Sequence, residues 1–130
     1  MAVYVDTSAA LKFVIDEPES TALTSWRLDE APDLIASDLI RTELTRATRR
    51  LGADDAAATR RWLDTITLMP VTRTHFETAG MLDPIALRSL DALHLAAALD
   101  LGPDCDAFLT YDSRLADAAR SHGLAVLAPD

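Results

Sequence analysis

The sequence predicts an α/β fold: a three-layer α/β/α sandwich around a mainly parallel central sheet. Short apolar segments alternate along the chain with longer segments whose apolar residues recur at helical spacing. Strands separated by helical segments of this length join through crossovers, which make successive strands parallel. The 130 residues, 49% hydrophobic and 25% charged, are enough for a substantial core, so we expect a single domain over residues 1–130.

Five segments are predicted as strands because they are short, apolar and bounded by polar or turn residues. These strands are 2–6, 34–36, 67–71, 107–111 and 124–127. Seven segments show helical periodicity and lie between or after the strands. The predicted helices, with their capping residues, are 8–14, 20–28, 37–51, 54–63, 74–81, 89–101 and 113–122.

Residues that begin or end helices set these boundaries. Ser37 and Ser89 are expected to be N-caps, since a serine hydroxyl accepts a hydrogen bond from the first helical turn. Gly52 suits the left-handed conformation that follows many helices. The Gly102-Pro103 pair ends the sixth helix, and Pro18 separates the first helix from the second.

The charge is strongly acidic but unevenly distributed. With 21 acidic and 12 basic residues, the formal charge of −9 argues against bulk, non-specific binding of nucleic acid. Eleven of the bases are arginines, whose forked guanidinium suits phosphate recognition. The clustered arginines, open to interpretation as a phosphate-binding strip or as a solvated helix face, are Arg41, Arg46, Arg49, Arg50, Arg60 and Arg61.

Nothing in the sequence predicts a membrane segment or a secretion signal. The longest candidate apolar run, 93–101, already contains His94 and Asp100. The N-terminal segment lacks a basic region before an apolar stretch, and Cys105 has no second cysteine with which to pair. We therefore expect a cytoplasmic protein that does not associate with membranes.

Four acidic residues occupy positions where an apolar residue would be expected. Asp6 ends one predicted strand and Asp112 directly follows another, while Glu43 and Asp91 interrupt the apolar faces of predicted helices. Because the carboxyl ends of parallel strands meet at one edge of a sheet, Asp6 and Asp112 are expected near each other. Desolvated carboxylates are costly without a positive partner, so the set predicts a bound divalent cation.

Each acid also has a purely structural interpretation. Asp6 and Asp112 could cap the helices that follow them, and Asp91 could interact favourably with its helix dipole. Glu43 could pair with Arg46 or Arg50, but no capping role is open to it. Separate structural roles therefore explain the acids singly better than they explain the set of four.

The sequence resembles a known family at four places. The motifs are Val-Asp-Thr-Ser at 5–8, Glu43 on a helix after a short strand, Leu-Asp-Ala-Leu-His-Leu-Ala at 90–96 and Leu-Thr-Tyr-Asp-Ser-Arg-Leu at 109–115. In order and spacing they resemble PIN-domain ribonucleases, above all the VapC toxins of type II toxin-antitoxin systems. The resemblance covers nearly the whole chain and gives the α/β sandwich a PIN-like arrangement.

The resemblance implies a metal-dependent endoribonuclease that cleaves structured RNA, such as transfer or ribosomal RNA, with a metal-activated water. Asp6, Glu43, Asp91 and Asp112 would be the acidic residues that bind Mg²⁺ or Mn²⁺, directly or through water. Hydrogen bonds from Ser8 and Thr110 would support these residues. His94, on the helix of Asp91, is expected to pack or to form a structural hydrogen bond.

The resemblance also implies partners. A cognate VapB-like antitoxin would block the site with a basic side chain, and the toxin would form a homodimer through helices near its N-terminal half. The main alternative is a non-catalytic PIN-like docking module that uses the same acidic pocket to bind a basic protein tail.

Overall fold

The computed structural model describes residues 1–52 and 56–130. Within these ranges there are five strands, seven α-helices and one short 3-10 helix. In chain order the elements are β1 (Ala2–Val5), α1 (Thr7–Val14), α2 (Ser20–Glu30), β2 (Asp33–Ser37), α3 (Leu39–Arg50), α4 (Ala56–Leu63), β3 (Thr67–Met69), α5 (Arg73–Met81), α6 (Ser89–Asp100), the 3-10 helix Gly102–Asp104, β4 (Ala107–Leu109), α7 (Ser113–Ser121) and β5 (Val126–Leu127).

The sheet is parallel throughout its described strands, in the order β3-β2-β1-β4-β5. Tyr4 in the central strand is in register with Ile35 on one side and Phe108 on the other. The chain winds from β1 through β2 to β3, then returns to place β4 on the opposite side of β1. The carboxyl ends of β1 and β4 therefore lie where the strand order reverses, the usual ligand position in such sheets.

Each face of the sheet packs against its own set of helices. Val3 and Val5 belong to one apolar core with residues of α1 to α4, while Tyr4 belongs to a second core with α6 and α7. This alternation follows from the period of two along a strand. The predicted three-layer α/β/α sandwich is confirmed.

Two of the predicted helix caps are wrong. Ser37 is the last residue of β2, where it is in register with Met69, and the N-cap of α3 is Asp38. The backbone N–H of Ser37 donates to the Tyr4 hydroxyl at 3.1 Å, which holds Ser37 in the extended strand. Ser89 is the first residue of α6, and its N-cap is Arg88.

Several strands are shorter than predicted. β1 ends at Val5 rather than Asp6, and β3 ends at Met69, since Pro70 has no N–H for the ladder. β4 ends at Leu109 rather than at residue 111. The Thr110 N–H still donates to the Leu127 carbonyl, but the N–H groups of Tyr111 and Asp112 donate to side-chain hydroxyls at 2.9 and 3.1 Å.

The remaining boundaries lie close to the predictions. β5 covers only Val126–Leu127 of the predicted 124–127, and Gly52 has the expected positive φ of 73°. The predicted helix 54–63 is seen from Ala56, and its first two residues lie outside the described residues. No helix among the described residues is long and apolar enough to cross a bilayer.

Candidate metal centre

Asp6 lies at the carboxyl end of the central strand and is only 3% exposed. As the N-cap of α1, it accepts a hydrogen bond from the Ala9 backbone N–H at 3.0 Å. Two hydroxyls add to this, because Ser8 Oγ donates at 2.7 Å and Thr110 Oγ1 at 2.6 Å. Burial raises the pKa of Asp6, and these hydrogen bonds oppose the rise only in part. Within the described residues Asp6 forms no ion pair, so its carboxylate is a buried acid without a cation.

Ser8 and Thr110 also organise the chain around Asp6. Their hydroxyl oxygens lie 3.2 Å apart, which joins the start of α1 to the end of β4. Ser8 Oγ accepts from the Tyr111 N–H, and Thr110 Oγ1 accepts from the Asp112 N–H. The two hydroxyls predicted to support the acidic site thus both contact Asp6, and they also fix the backbone that carries Asp112.

Glu43, on the inward side of α3, is held by a buried chain of hydrogen bonds. His94 Nε2 lies 2.5 Å from Glu43 Oε1, and Thr7 Oγ1 donates to the same oxygen at 3.1 Å. On the other side of the ring, His94 Nδ1 lies 2.8 Å from the Tyr4 hydroxyl. That hydroxyl also accepts from the Ser37 N–H at 3.1 Å, and because the Glu43 carboxylate can only accept, Nε2 is the N–H donor to Glu43.

These contacts set the ionisation of Glu43. Its burial raises the pKa, but the hydrogen bond and charge of His94, with a smaller contribution from Thr7, outweigh burial and place the pKa below its ordinary value. The prediction that His94 forms a structural hydrogen bond is consistent with this geometry. Among the described residues Glu43 is paired with His94 and Thr7, and not with Arg46 or Arg50.

Asp91 and Asp112 face each other across the mouth of the site. Asp91 lies in the first turn of α6, and Asp112 caps α7 by accepting from the Arg114 and Leu115 N–H groups. Burial raises the pKa of Asp91, and the charges of Asp112 and Glu43 raise it further. Arg88 spans the pair, with guanidinium nitrogens 3.6 Å from Asp91 Oδ2 and 3.9 Å from Asp112 Oδ2.

The four acids therefore surround one edge of the sheet, although they are not drawn together as a closed ligand set. In the part of the chain that the structure describes, no three Asp, Glu, His or Cys side chains are grouped so as to hold a metal ion directly. Asp6 and Glu43 are each turned toward protein donors. The donor set is nevertheless all carboxylate, which suits a hard divalent cation reached partly through water.

The structural interpretations of the acids are also correct in part. Asp6 and Asp112 do cap helices, and Asp91 does lie in a first turn. A cap needs only one carboxylate oxygen, however, and capping does not account for the burial of Asp6 or the crowding of Asp91 by Asp112. The residues that sequence reasoning missed are Tyr4, which looks like any core aromatic, and Arg88, which looks like any exposed base.

Comparison with known proteins agrees with this geometry. Residues 3–121 match the PIN domain family. Ribonuclease VapC46 of Mycobacterium tuberculosis (strain ATCC 25618 / H37Rv) is 42% identical over 128 residues, covering 98% of each chain. The fold also matches a crystal structure of M. tuberculosis VapC20, a sarcin-ricin loop cleaving toxin, with a TM-score of 0.73 and 15% identity over 89% of this chain and 94% of that one.

A second structure of the same fold is that of VapBC2 from Rickettsia felis bound to a DNA fragment from its promoter. It gives a TM-score of 0.71 at 12% identity and covers all of both chains. The fold and the acidic edge of the sheet define a PIN-domain protein. Within that class the chain belongs to the family of VapC ribonucleases, as its extent of identity to VapC46 shows.

Proposed function

We propose that this chain is the toxin of a toxin-antitoxin system and acts as a Mg²⁺- or Mn²⁺-dependent endoribonuclease. The observation that carries the proposal is Asp6, a carboxylate 3% exposed that has no cationic partner among the described residues. A desolvated charge of this kind is costly unless a cation meets it. Its position at the reversal of strand order, beside three further acids, supports a ligand site there.

The residues fit a hard divalent cation. Asp6, Glu43, Asp91 and Asp112 would hold it, with Ser8 and Thr110 keeping the Asp6 carboxylate in place. When bound, the ion would stabilise charge on the phosphodiester and lower the pKa of the attacking water. The N–H of His94 keeps Glu43 ionised and oriented without drawing on the cation, because its hydrogen bond lowers the pKa of Glu43.

Asp91 and Asp112 lie close together at the mouth of the site, so a bound cation would change how readily they ionise. The pKa of Asp91 is raised by burial and by Asp112, so without a cation these two acids oppose each other. Arg88 relieves the repulsion only weakly, since its contacts are long and its side chain is 76% exposed. A divalent ion favours the ionised form of both acids.

The substrate we propose is a structured RNA, cleaved where its strand is unpaired. VapC20, which shares the fold, is described as cleaving the sarcin-ricin loop. In this chain exposed arginines of α3 and α4 line two surface depressions, which would contact RNA phosphates. Arg46, Arg49 and Arg50 line the first, and Arg41, Arg60 and Arg61 line the second.

We further propose an antitoxin partner and a homodimer. The acidic edge of the sheet would receive a basic side chain of a VapB-like antitoxin. Large exposed apolar side chains cluster on α5 and the segment that follows it, including Phe76, Met81 and Ile85, which is 93% exposed. We therefore place the dimer contact there rather than on helices of the N-terminal half.

The alternative is a docking module that binds a basic protein tail without cleaving RNA. Docking requires negative charge but not the hydrogen bonds that fix Asp6 and Glu43 individually. These bonds favour catalysis, in which carboxylate positions matter within fractions of an ångström.

The test is incubation of the purified protein with total transfer RNA and with ribosomal RNA, with Mg²⁺, Mn²⁺ or chelator. We expect discrete fragments that require the metal and that Asp6→Asn fails to produce. Intact RNA under every condition, from a protein that still binds Mn²⁺, would support the docking module instead.

A further inference from the structure

A cavity of about 620 Å³ lies between the segment preceding α6, the start of α6 and the exposed side of α7. Pockets of about 300–1,000 Å³ are those that hold small ligands in proteins. None of the four predicted acids accounts for this cavity, because only Asp91 lies on its wall. Apart from Asp91 and Arg88, its walls come from residues to which the proposed cleavage chemistry gives no role.

The cavity is continuous with the acidic site. Asp91 and Arg88 line it, and both also take part in the contacts that join α6 to Asp112. A strand of RNA whose phosphodiester lay over the acids would therefore carry its neighbouring nucleotide to the cavity mouth. This continuity distinguishes the cavity from the depressions on α3 and α4, which neither Asp91 nor Arg88 lines.

The walls are chemically suited to a flat heterocycle. Pro84, Ala86, Leu87 and Ala118 provide apolar surface, against which the faces of a nucleobase can pack. The carboxylates of Asp83 and Asp117 lie at the edge and accept hydrogen bonds, which the amino groups of adenine, cytosine and guanine can donate. A bare phosphate would meet repulsion from these acids, so the interior is better suited to a base.

The rim carries the positive charge that a nucleotide's phosphates require. Arg88 and Arg114 both line the cavity and both are exposed. Arg114 forms no ion pair with any described residue, so its guanidinium is available to a ligand. Two arginines at this rim would attract the phosphates of the RNA backbone.

We propose that this cavity, the base pocket, receives an unpaired nucleobase adjacent to the cleaved phosphodiester, with Arg88 and Arg114 on the flanking phosphates. The inference rests on the proposed function, since it assigns part of the same RNA to a second site. Selection of an unpaired base would restrict cleavage to loops and bulges, because a base within a helix cannot be turned into the pocket.

The test measures binding without turnover, in the Asp6→Asn background. The probe is a fluorescein-labelled RNA hairpin that the wild-type protein cuts, or the sarcin-ricin loop hairpin if it cuts none. A matched series replaces each loop nucleotide in turn by an abasic residue. We expect one abasic position to weaken binding by about tenfold. Ala86→Trp fills the pocket from an exposed position. It should weaken binding of the intact hairpin by a similar factor and abolish the difference in affinity between the intact and abasic hairpins.

Two further variants separate pocket binding from general charge. Arg114→Ala should weaken binding of the hairpin, whereas Arg73→Ala, an equal loss of charge at the start of α5, should not. Arg73 is exposed, does not line the pocket and forms no ion pair among the described residues. Thermal unfolding of every variant would verify that the fold is kept.

The pocket assignment fails if Ala86→Trp binds the intact hairpin as tightly as its parent, or if no hairpin binds. It also fails if Ala86→Trp and Arg114→Ala weaken binding of a labelled Arg-rich peptide and not of RNA. Discrimination at one loop position without metal-dependent cleavage by the wild-type protein would overturn only the proposed catalysis and leave the pocket intact.

Discussion

His94 Nε2 lies 2.5 Å from Oε1 of Glu43 and joins the middle of α6 to the middle of α3. The ring is 1% exposed, and its other nitrogen lies 2.8 Å from the Tyr4 hydroxyl. Because a carboxylate can only accept, the Nε2–H donates to Glu43, and the contact with Tyr4 holds the ring in that orientation. His94 acts as a positioning residue, since it sets where Glu43 lies and keeps it ionised.

Replacement of His94 by Gln should weaken Mn²⁺ binding by roughly 10–100-fold, the usual cost of losing a partner of a metal ligand. Tyr4→Phe should have a smaller effect in the same direction, because it removes the hydroxyl that contacts Nδ1 and holds the ring in place. Calorimetric titration of Mn²⁺ measures both. Unchanged affinity in His94→Gln, with an unchanged melting temperature, would mean that the contact serves only packing.

Thr110→Val should lower the free energy of unfolding by about 1.5–3 kcal/mol, since it removes a hydroxyl that donates to the buried Asp6 carboxylate. Thr59→Val is the matched control. Thr59 is also 1% exposed, but its hydroxyl has no hydrogen-bond partner within the described structure, so its loss should raise stability by about 1 kcal/mol. Urea unfolding measures both, and equal effects would contradict the role given to Thr110.

The metal-free protein should lose stability as the pH rises above 3.8, the ordinary pKa of an aspartate. The folded pKa of Asp6 is raised by burial, so between the two values the folded state binds more protons than the unfolded chain. Glu43 has the opposite effect, because its folded pKa is lowered. Its contribution to stability is present above pH 4.5 and is lost as the pH falls below that value.

Asp6→Asn should make the decline above pH 3.8 less steep and leave the part due to Asp91, whose pKa is also raised. Saturating Mg²⁺ should reverse the decline in the wild-type protein. Denaturant unfolding at a series of pH values, in chelator and in Mg²⁺, measures these slopes. A decline of the same steepness in Asp6→Asn would show that another group is responsible.

Asp91→Asn should abolish metal-dependent cleavage while leaving the fold intact. The melting temperature of the metal-free variant should rise by about 2–4 °C, because the substitution removes a charge that burial and Asp112 disfavour. Asp29→Asn, an exposed acid on α2, is the matched control and should change neither quantity. An unfolded Asp91→Asn protein, or one that cuts RNA at the normal rate, would contradict the role of Asp91.

The fold could be predicted from the sequence because the local periodicity of each segment agrees with the order of strands and helices along the chain. Alternation of apolar strands with amphipathic helices led to the parallel sheet, and the order of the elements was correct throughout the described residues. The errors occurred where side chains replace the backbone as hydrogen-bond partner. β4 does not reach residue 111 because the Ser8 and Thr110 hydroxyls accept the N–H groups of Tyr111 and Asp112, which no propensity predicts.

The candidate site was predicted by residue but not by arrangement. The positions of Asp6 and Asp112 follow from strand ends, and the inward face of Glu43 follows from helical spacing. The hydrogen-bond partners of Glu43 could not be predicted. His94 lies 51 residues from Glu43 in the sequence, and Tyr4 lies 90 residues from His94. Contacts between residues so distant in sequence depend on how α6 packs across the sheet.

The most direct test of the account is a calorimetric Mn²⁺ titration of the wild-type protein, Asp6→Asn, Asp91→Asn and the control Asp29→Asn. We expect saturable binding by the wild-type and control proteins, and binding that is lost or weakened at least tenfold by each substitution at the acidic site. Equal affinity in all four folded proteins would contradict it, because the ion would then bind somewhere other than the carboxylates at the edge of the sheet.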